Sequence, residues 1–181
     1  AAHDRRLDML NVKYLMVSQP GPEFDLIAAS DRFAPVFSER SVAVFENKTA
    51  LPRFLAVPES HIEVIPDPSA QLARVKEPTF DPERSVIFSA APGEPGASNA
   101  GAVALDARVQ LIDKGTNGYR LRVDSNGRAV LVISQMYYPR WKATIDGSLV
   151  EVYPVNFALT GIVVPAGVHE IRIFFRPDSF R

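Results

Sequence analysis

Several stretches in the second half of the chain alternate apolar and polar side chains. In "ARVQLID" Val109 and Leu111 fall on one face and Arg108 and Gln110 on the other. In "YRLRVD" Tyr119, Leu121 and Val123 oppose Arg120, Arg122 and Asp124. A period of two is the side-chain repeat of a strand with one wet face. "RAVLVIS" is apolar on both faces, which suits a central strand, and "RWKATID", "LVEVYPV", "FALTGIVV" and "HEIRIFF" follow at short intervals. The breaks between them, "TNG", "SNG", Asp146-Gly147 and "PAG", carry residues that tolerate positive φ. About seven short antiparallel strands at this spacing predict a mainly β fold, an antiparallel β-sandwich of jelly-roll or immunoglobulin-like type.

The first half reads differently. Leu7 and Leu10 sit at helical spacing before "KYLMVS", predicting a short helix that feeds a strand. "FAPVFSERSVAVFEN" fits a hairpin, and "ALPRFLAV" another strand. Pro68 is placed to start a helix through "PSAQLARVKE", with Leu72 and Val75 on its apolar side. "DPER" reads as a proline turn leading into the strand "SVIFS". Residues 90 to 101, "AAPGEPGASNAG", have no periodicity. The expected organisation is an α/β part over 1–90, a flexible connection over 91–101 and the sandwich over 102–181.

Composition narrows the function classes. The chain has 181 residues, enough for one domain or two small ones, and its 46% apolar and 23% charged residues are ordinary globular usage. A net charge of -1 supplies no general attraction to nucleic acid or an anionic bilayer. With no cysteine, disulfides, thiolate metal sites and a cysteine nucleophile are excluded. No apolar run reaches the roughly 18 residues of a membrane span. Fifteen prolines, spread widely, argue against long helices. The start at Ala1 and the stop after "RPDSFR" have the look of cuts from a longer chain.

No catalytic constellation is visible. His3, His61 and His169 lie far apart without ligand spacing, and His169 is expected on the solvent face of its strand. Asp81 with Glu83, and Glu23 with Asp25, flank prolines, where acids serve local hydrogen bonding more often than acid-base chemistry. The glycine-rich stretch lacks the lysine and helix of a phosphate loop, and "NKT" at Asn47 has only the form of a glycosylation acceptor. The aromatic stretch "YYPRW", residues 137–141, is the one feature suited to ligand contact. Tyr and Trp rings stack on sugar faces while their polar ends hydrogen bond. Packing is the expected role of Tyr137 and Trp141, and Tyr138, of opposite parity to Tyr137, is the ring expected to face solvent.

A longer pattern includes this stretch: a tyrosine pair, Pro139 and Trp141, Asp146-Gly147, Asn156, "VVPAG", His169 and "RPDSF". "LDMLNVKYLMV" near the start, "FENKTALPRFLAV" with Asn47, Leu51, Pro52 and Arg53, and more weakly "FDPERSVIF" accompany it. Together they resemble the closing region of the YfhO-type bacterial membrane proteins, which are similar to GT-C glycosyltransferases. One departure is Arg140, where that family commonly has glycine.

The resemblance implies a soluble domain on the extracytoplasmic face of the bacterial cytoplasmic membrane, part of a multi-pass protein whose catalytic acid lies elsewhere. No catalytic residue, metal or cofactor is carried onto this chain. Its expected partners are the transmembrane part of the parent chain and an envelope glycan or lipid-linked sugar, not nucleic acid. Candidate glycan-binding residues are Tyr138, Trp141, Asn156 and Arg53. Two rivals remain: a carbohydrate-binding module of a secreted enzyme, and a hydrolase using Asp81 or His169.

Overall fold

The computed structural model describes residues 5–93 and 105–176 and shows a mainly β protein with antiparallel sheets and a few short helices. The chain divides into two compact units, 1–53 and 54–181.

The first unit contains helix α1 (Arg6–Met9), strand β1 (Tyr14–Ser18), helix α2 (Pro22–Ala28) and strands β2 (Phe33–Glu39) and β3 (Val42–Asn47). Its antiparallel sheet has the order β1-β3-β2. Pro35 lies on the edge strand beside a register shift, where a missing N–H breaks no shared ladder. Ala43 and Phe45 of β3 are buried, and the Phe24 ring of α2 packs 5.8 Å from that of Phe45. Helix α2 was not read from the sequence. Pro22 at its first turn and Glu23 and Asp25 at its positive end are ordinary start signals, so those two acids belong to a helix rather than to a proline turn.

Asp8 organises this unit. The residue is 2% exposed, and its Oδ1 accepts hydrogen bonds from Arg32 Nη2 at 2.6 Å, Asn47 Nδ2 at 2.8 Å and Thr49 Oγ1 at 2.9 Å. Its backbone oxygen accepts from Leu51 N. A buried carboxylate is tolerated only when paired and hydrogen-bonded in this way. Asn47, 3% exposed, also donates to the Val12 oxygen, so "NKT" is a structural turn and not an accessible acceptor.

The second unit contains β4 (Phe54–Pro58), β5 (Ile62–Val64), α3 (Pro68–Lys76), β6 (Val86–Phe88), β7 (Ala107–Gly115), β8 (Gly118–Ser125), β9 (Ala129–Met136), β10 (Trp141–Ile145), β11 (Ser148–Val150), β12 (Tyr153–Val155), β13 (Leu159–Val164) and β14 (Gly167–Phe175). Two sheets result, a five-stranded one of order β11-β10-β14-β8-β7 and a six-stranded one of order β4-β9-β13-β12-β6-β5. One core joins them. Leu121, Val123, Ala143, Ile171 and Ile173 come from the first sheet and Leu131, Ile133, Ile162 and Val164 from the second. Burying each large aliphatic side chain there contributes about 1.5–3 kcal/mol. The doubly apolar "RAVLVIS" is β9, and it lies between β4 and β13 as its composition requires.

The division at Arg53 corrects the expected boundary. Residues 54–93 do not complete an N-terminal α/β part: β4 pairs antiparallel with β9, and β6 pairs with β12. These pairings span tens of residues, and local periodicity carries no trace of them. The expected connection over 91–101 lies mostly outside the described residues, as do His3 and most of "RPDSF". Helix α3 begins at Pro68 as expected, capped by Asp67, whose side chain accepts from Ala70 N at 2.7 Å. Its buried residues are Gln71 and Val75, with Leu72 half-buried.

Candidate glycan-binding rim

The aromatic stretch lies where β9 ends and β10 begins. Tyr137 N donates to the Ala158 oxygen at 2.8 Å, and Trp141 N donates to the Tyr138 oxygen at 3.0 Å. The second bond closes a β-turn with Pro139 at its second position, where the fixed proline φ fits. Arg140 is not among the positive-φ residues of the described chain, so this turn does not need the glycine commonly found in the family the motif resembles.

Trp141 pairs in register with Phe175 of β14, and their rings meet edge to face with centroids 5.4 Å apart. Tyr138 stands 6.0 Å from the same Phe175 ring. Trp141 is half-buried and packs on the shared core, whereas Tyr138 is 52% exposed. Such ring contacts contribute about 0.5–1.5 kcal/mol beyond area burial. They fix the exposed ring on a rigid base. Phe175, 37 residues from Tyr138, was not singled out from the sequence; the alternation of "HEIRIFF" put it on the core face, but only strand register shows which ring it supports.

Asn156 does not join this rim as a ligand contact. Asn156 is 2% exposed at φ +50°, its Oδ1 accepts from Ile87 N at 2.8 Å, and its own N donates to the Ile87 oxygen at 2.9 Å. It therefore ties the β12–β13 turn to β6 and offers no surface to a sugar. The next residue, Phe157, takes φ +74° and is 45% exposed. A bulky side chain in the left-handed region is an outlier held by its surroundings, and here the flanking Asn156 bonds hold it. Arg53 is half-buried, already partnered, and belongs to the other unit.

His169 also departs from expectation. It pairs with buried Val123 on the core side of β14, at the rim of the sandwich, and its side chain is 18% exposed. Nδ1 lies 2.7 Å from Asp146 Oδ2, and Nε2 lies 3.2 Å from the Ala166 oxygen. With an acceptor at each ring nitrogen, the imidazolium is favoured. The hydrogen bond to Asp146 first, and the Ala166 oxygen after it, raise the His169 pKa, while the same bond and that from Glu170 N lower the Asp146 pKa.

Asp81 serves its turn: the backbone oxygen accepts from Arg84 N and Ser85 N, and Oδ1 accepts from Glu83 N. Among the described residues no group of three His, Cys, Asp or Glu side chains is placed to hold a metal ion, and no helix is long and apolar enough to cross a membrane. No protein family, curated protein or solved structure matches this chain.

Proposed function

We propose that this chain is an extracytoplasmic domain of a polytopic, glycosyltransferase-like membrane protein of the YfhO type, and that it contacts the acceptor glycan or envelope polymer through the rim at Tyr138 while bracing the membrane part. The carrying observation is the half-exposed Tyr138 ring seated on Phe175, whose ring is in turn braced by Trp141. A rigid, amphipathic ring at the end of a sandwich is suited to sugar stacking. The motif residues behind the resemblance support the reading in another way, because they bond to one another across the chain. Asp8 of the first piece binds Asn47 of the second, Asn156 binds Ile87 of the third, and Asp146 binds His169. Such residues hold a fold in place, and contact with glycan is left to the rings beside them.

Trp141 is the chain's only tryptophan, so titration with envelope oligosaccharides is followed by its emission. Binding is expected, and Tyr138→Ala is expected to weaken it about tenfold, or about 1.4 kcal/mol. An unchanged affinity in Tyr138→Ala removes the rim from the proposal; silence with every glycan leaves only the bracing role. The carbohydrate-binding module of a secreted enzyme is distinguished by the parent reading frame, which would encode a hydrolase in place of hydrophobic spans.

A further inference from the structure

On the outer face of the five-stranded sheet, cross-strand neighbours carry opposite charges at three positions: Arg108 faces Asp124, Asp113 faces Arg120, and Glu170 faces Arg122. One pair breaks the rule. Arg172 of β14 lies directly opposite Arg120 of β8, and like charges at opposed positions destabilise a sheet. Arg172 has no acidic cross-strand neighbour to offset this, since its other neighbour is Thr144. Among the described residues neither guanidinium has a hydrogen-bond or ion-pair partner; Arg172 lies only over the Phe174 ring, 5.6 Å from its centroid.

These two arginines line an open cavity of about 380 Å³, together with Phe174, Gly115, Gly118, Asp113 and Glu170. The floor is bare for a structural reason. A Cβ on Gly118 would collide with the Ile173 carbonyl oxygen and come within 2.9 Å of the Phe174 Cα, so strand approach forbids a side chain there. Its cross-strand neighbour is Gly115, and the two glycines leave the space beside the Phe174 ring unfilled.

We propose that this cavity binds an anionic sugar, its carboxylate or phosphate held by Arg120 and Arg172 and its ring lying against Phe174. Guanidinium groups recognise both oxyanions through paired N–H donors. The anion relieves the Arg120–Arg172 repulsion, and Asp113 and Glu170 supply acceptors for sugar hydroxyls. This site is separate from the Tyr138 rim and stands on its own observations.

The full 181-residue chain is titrated with glucuronic acid, glucose 1-phosphate, glucose and inorganic phosphate, following the amide shifts of Gly118 and Phe174. One of the two anionic sugars is expected to bind about tenfold more tightly than glucose, and which one identifies the anion. Arg172→Gln and Arg120→Gln should each weaken that binding about tenfold, and Arg172→Gln should also raise the Tm of the unliganded protein, because the like-charge contact is gone while Arg120 keeps its Asp113 neighbour. Equal affinity for glucose, inorganic phosphate binding as tightly as either sugar, full binding by Arg172→Gln, a lowered unliganded Tm in that variant, or no shift with any probe would each overturn the proposal. Tyr138→Ala separates the two sites: it should leave these shifts intact, whereas loss of the Trp141 response in that variant concerns the rim alone.

Discussion

At the scale of single residues, the side chains that look most like functional candidates hold the backbone. Asp8 illustrates the energetics. Its carboxylate is 2% exposed, and the Arg32 partner is largely covered too, with a side chain 12% exposed. Removing one member of a buried pair leaves the other charge uncompensated, at a cost of about 3–5 kcal/mol. Asp8→Ala also takes one of two acceptors from the buried Asn47 amide and leaves the Thr49 hydroxyl only Asn47 Oδ1. That total rivals the whole stability expected of so small a unit, so the variant should lose hydrogen-exchange protection throughout β1–β3 while amides of β8, β9 and β14 keep theirs. Retained protection in β1–β3 would refute the central place given to Asp8. Asn156 is a second case. Asn156→Ala removes the acceptor for Ile87 N and puts a less tolerant residue at φ +50°, a loss of about 1–3 kcal/mol; Asn156→Gly, which tolerates that φ, should lose less.

At the scale of elements, the hairpin β10–β11 shows local chemistry deciding structure and then charge. Ile145 pairs with Ser148, leaving Asp146 and Gly147 as a two-residue turn with φ of +50° and +84°. This is the turn that "DG" signals. The geometry turns Asp146 toward His169 of β14 and gives stability a pH window. His169 has a pKa raised above its ordinary 6.5, so its contribution is complete below that value and is lost as pH rises through the folded pKa. Asp146 has a pKa lowered from 3.8, so its contribution is present above that value and is lost as pH falls through the folded pKa. The pair therefore stabilises most between about pH 4 and 6.5. An NMR titration of the His169 ring should give a midpoint above 6.5 that drops in Asp146→Asn; a midpoint at or below 6.5 in the parent would remove this window. Turns of this kind, the alternating strands and the Pro68 start of α3 were legible because each is written in adjacent residues. What was not legible depends on partners far along the chain. Phe175 under Tyr138, Arg172 opposite Arg120 and Ile87 against Asn156 arise from strand register, and register is set by the closed core rather than by any short stretch.

At the scale of the whole molecule, the same distinction predicts where the chain separates. Composition placed a boundary in the Gly- and Pro-rich stretch near residue 91, but the six-stranded sheet takes β4, β5 and β6 from before that stretch. Strand β4 covers one edge of β9, with Val57 wholly buried, and β6 adds the fully covered Val86, Ile87 and Phe88. A fragment cut at residue 102 would expose the flank of an almost wholly apolar strand, an open template for aggregation. A fragment cut at residue 54 keeps both sheets and their common core. Residues 54–181 expressed alone should therefore give a dispersed NMR spectrum and a single cooperative thermal transition, whereas residues 102–181 should be insoluble or show lost near-ultraviolet circular dichroism. The converse result, a well-packed 102–181 fragment, would mean that the three earlier strands only decorate a sandwich already complete without them, and β9 would have to find another neighbour for the edge that β4 covers.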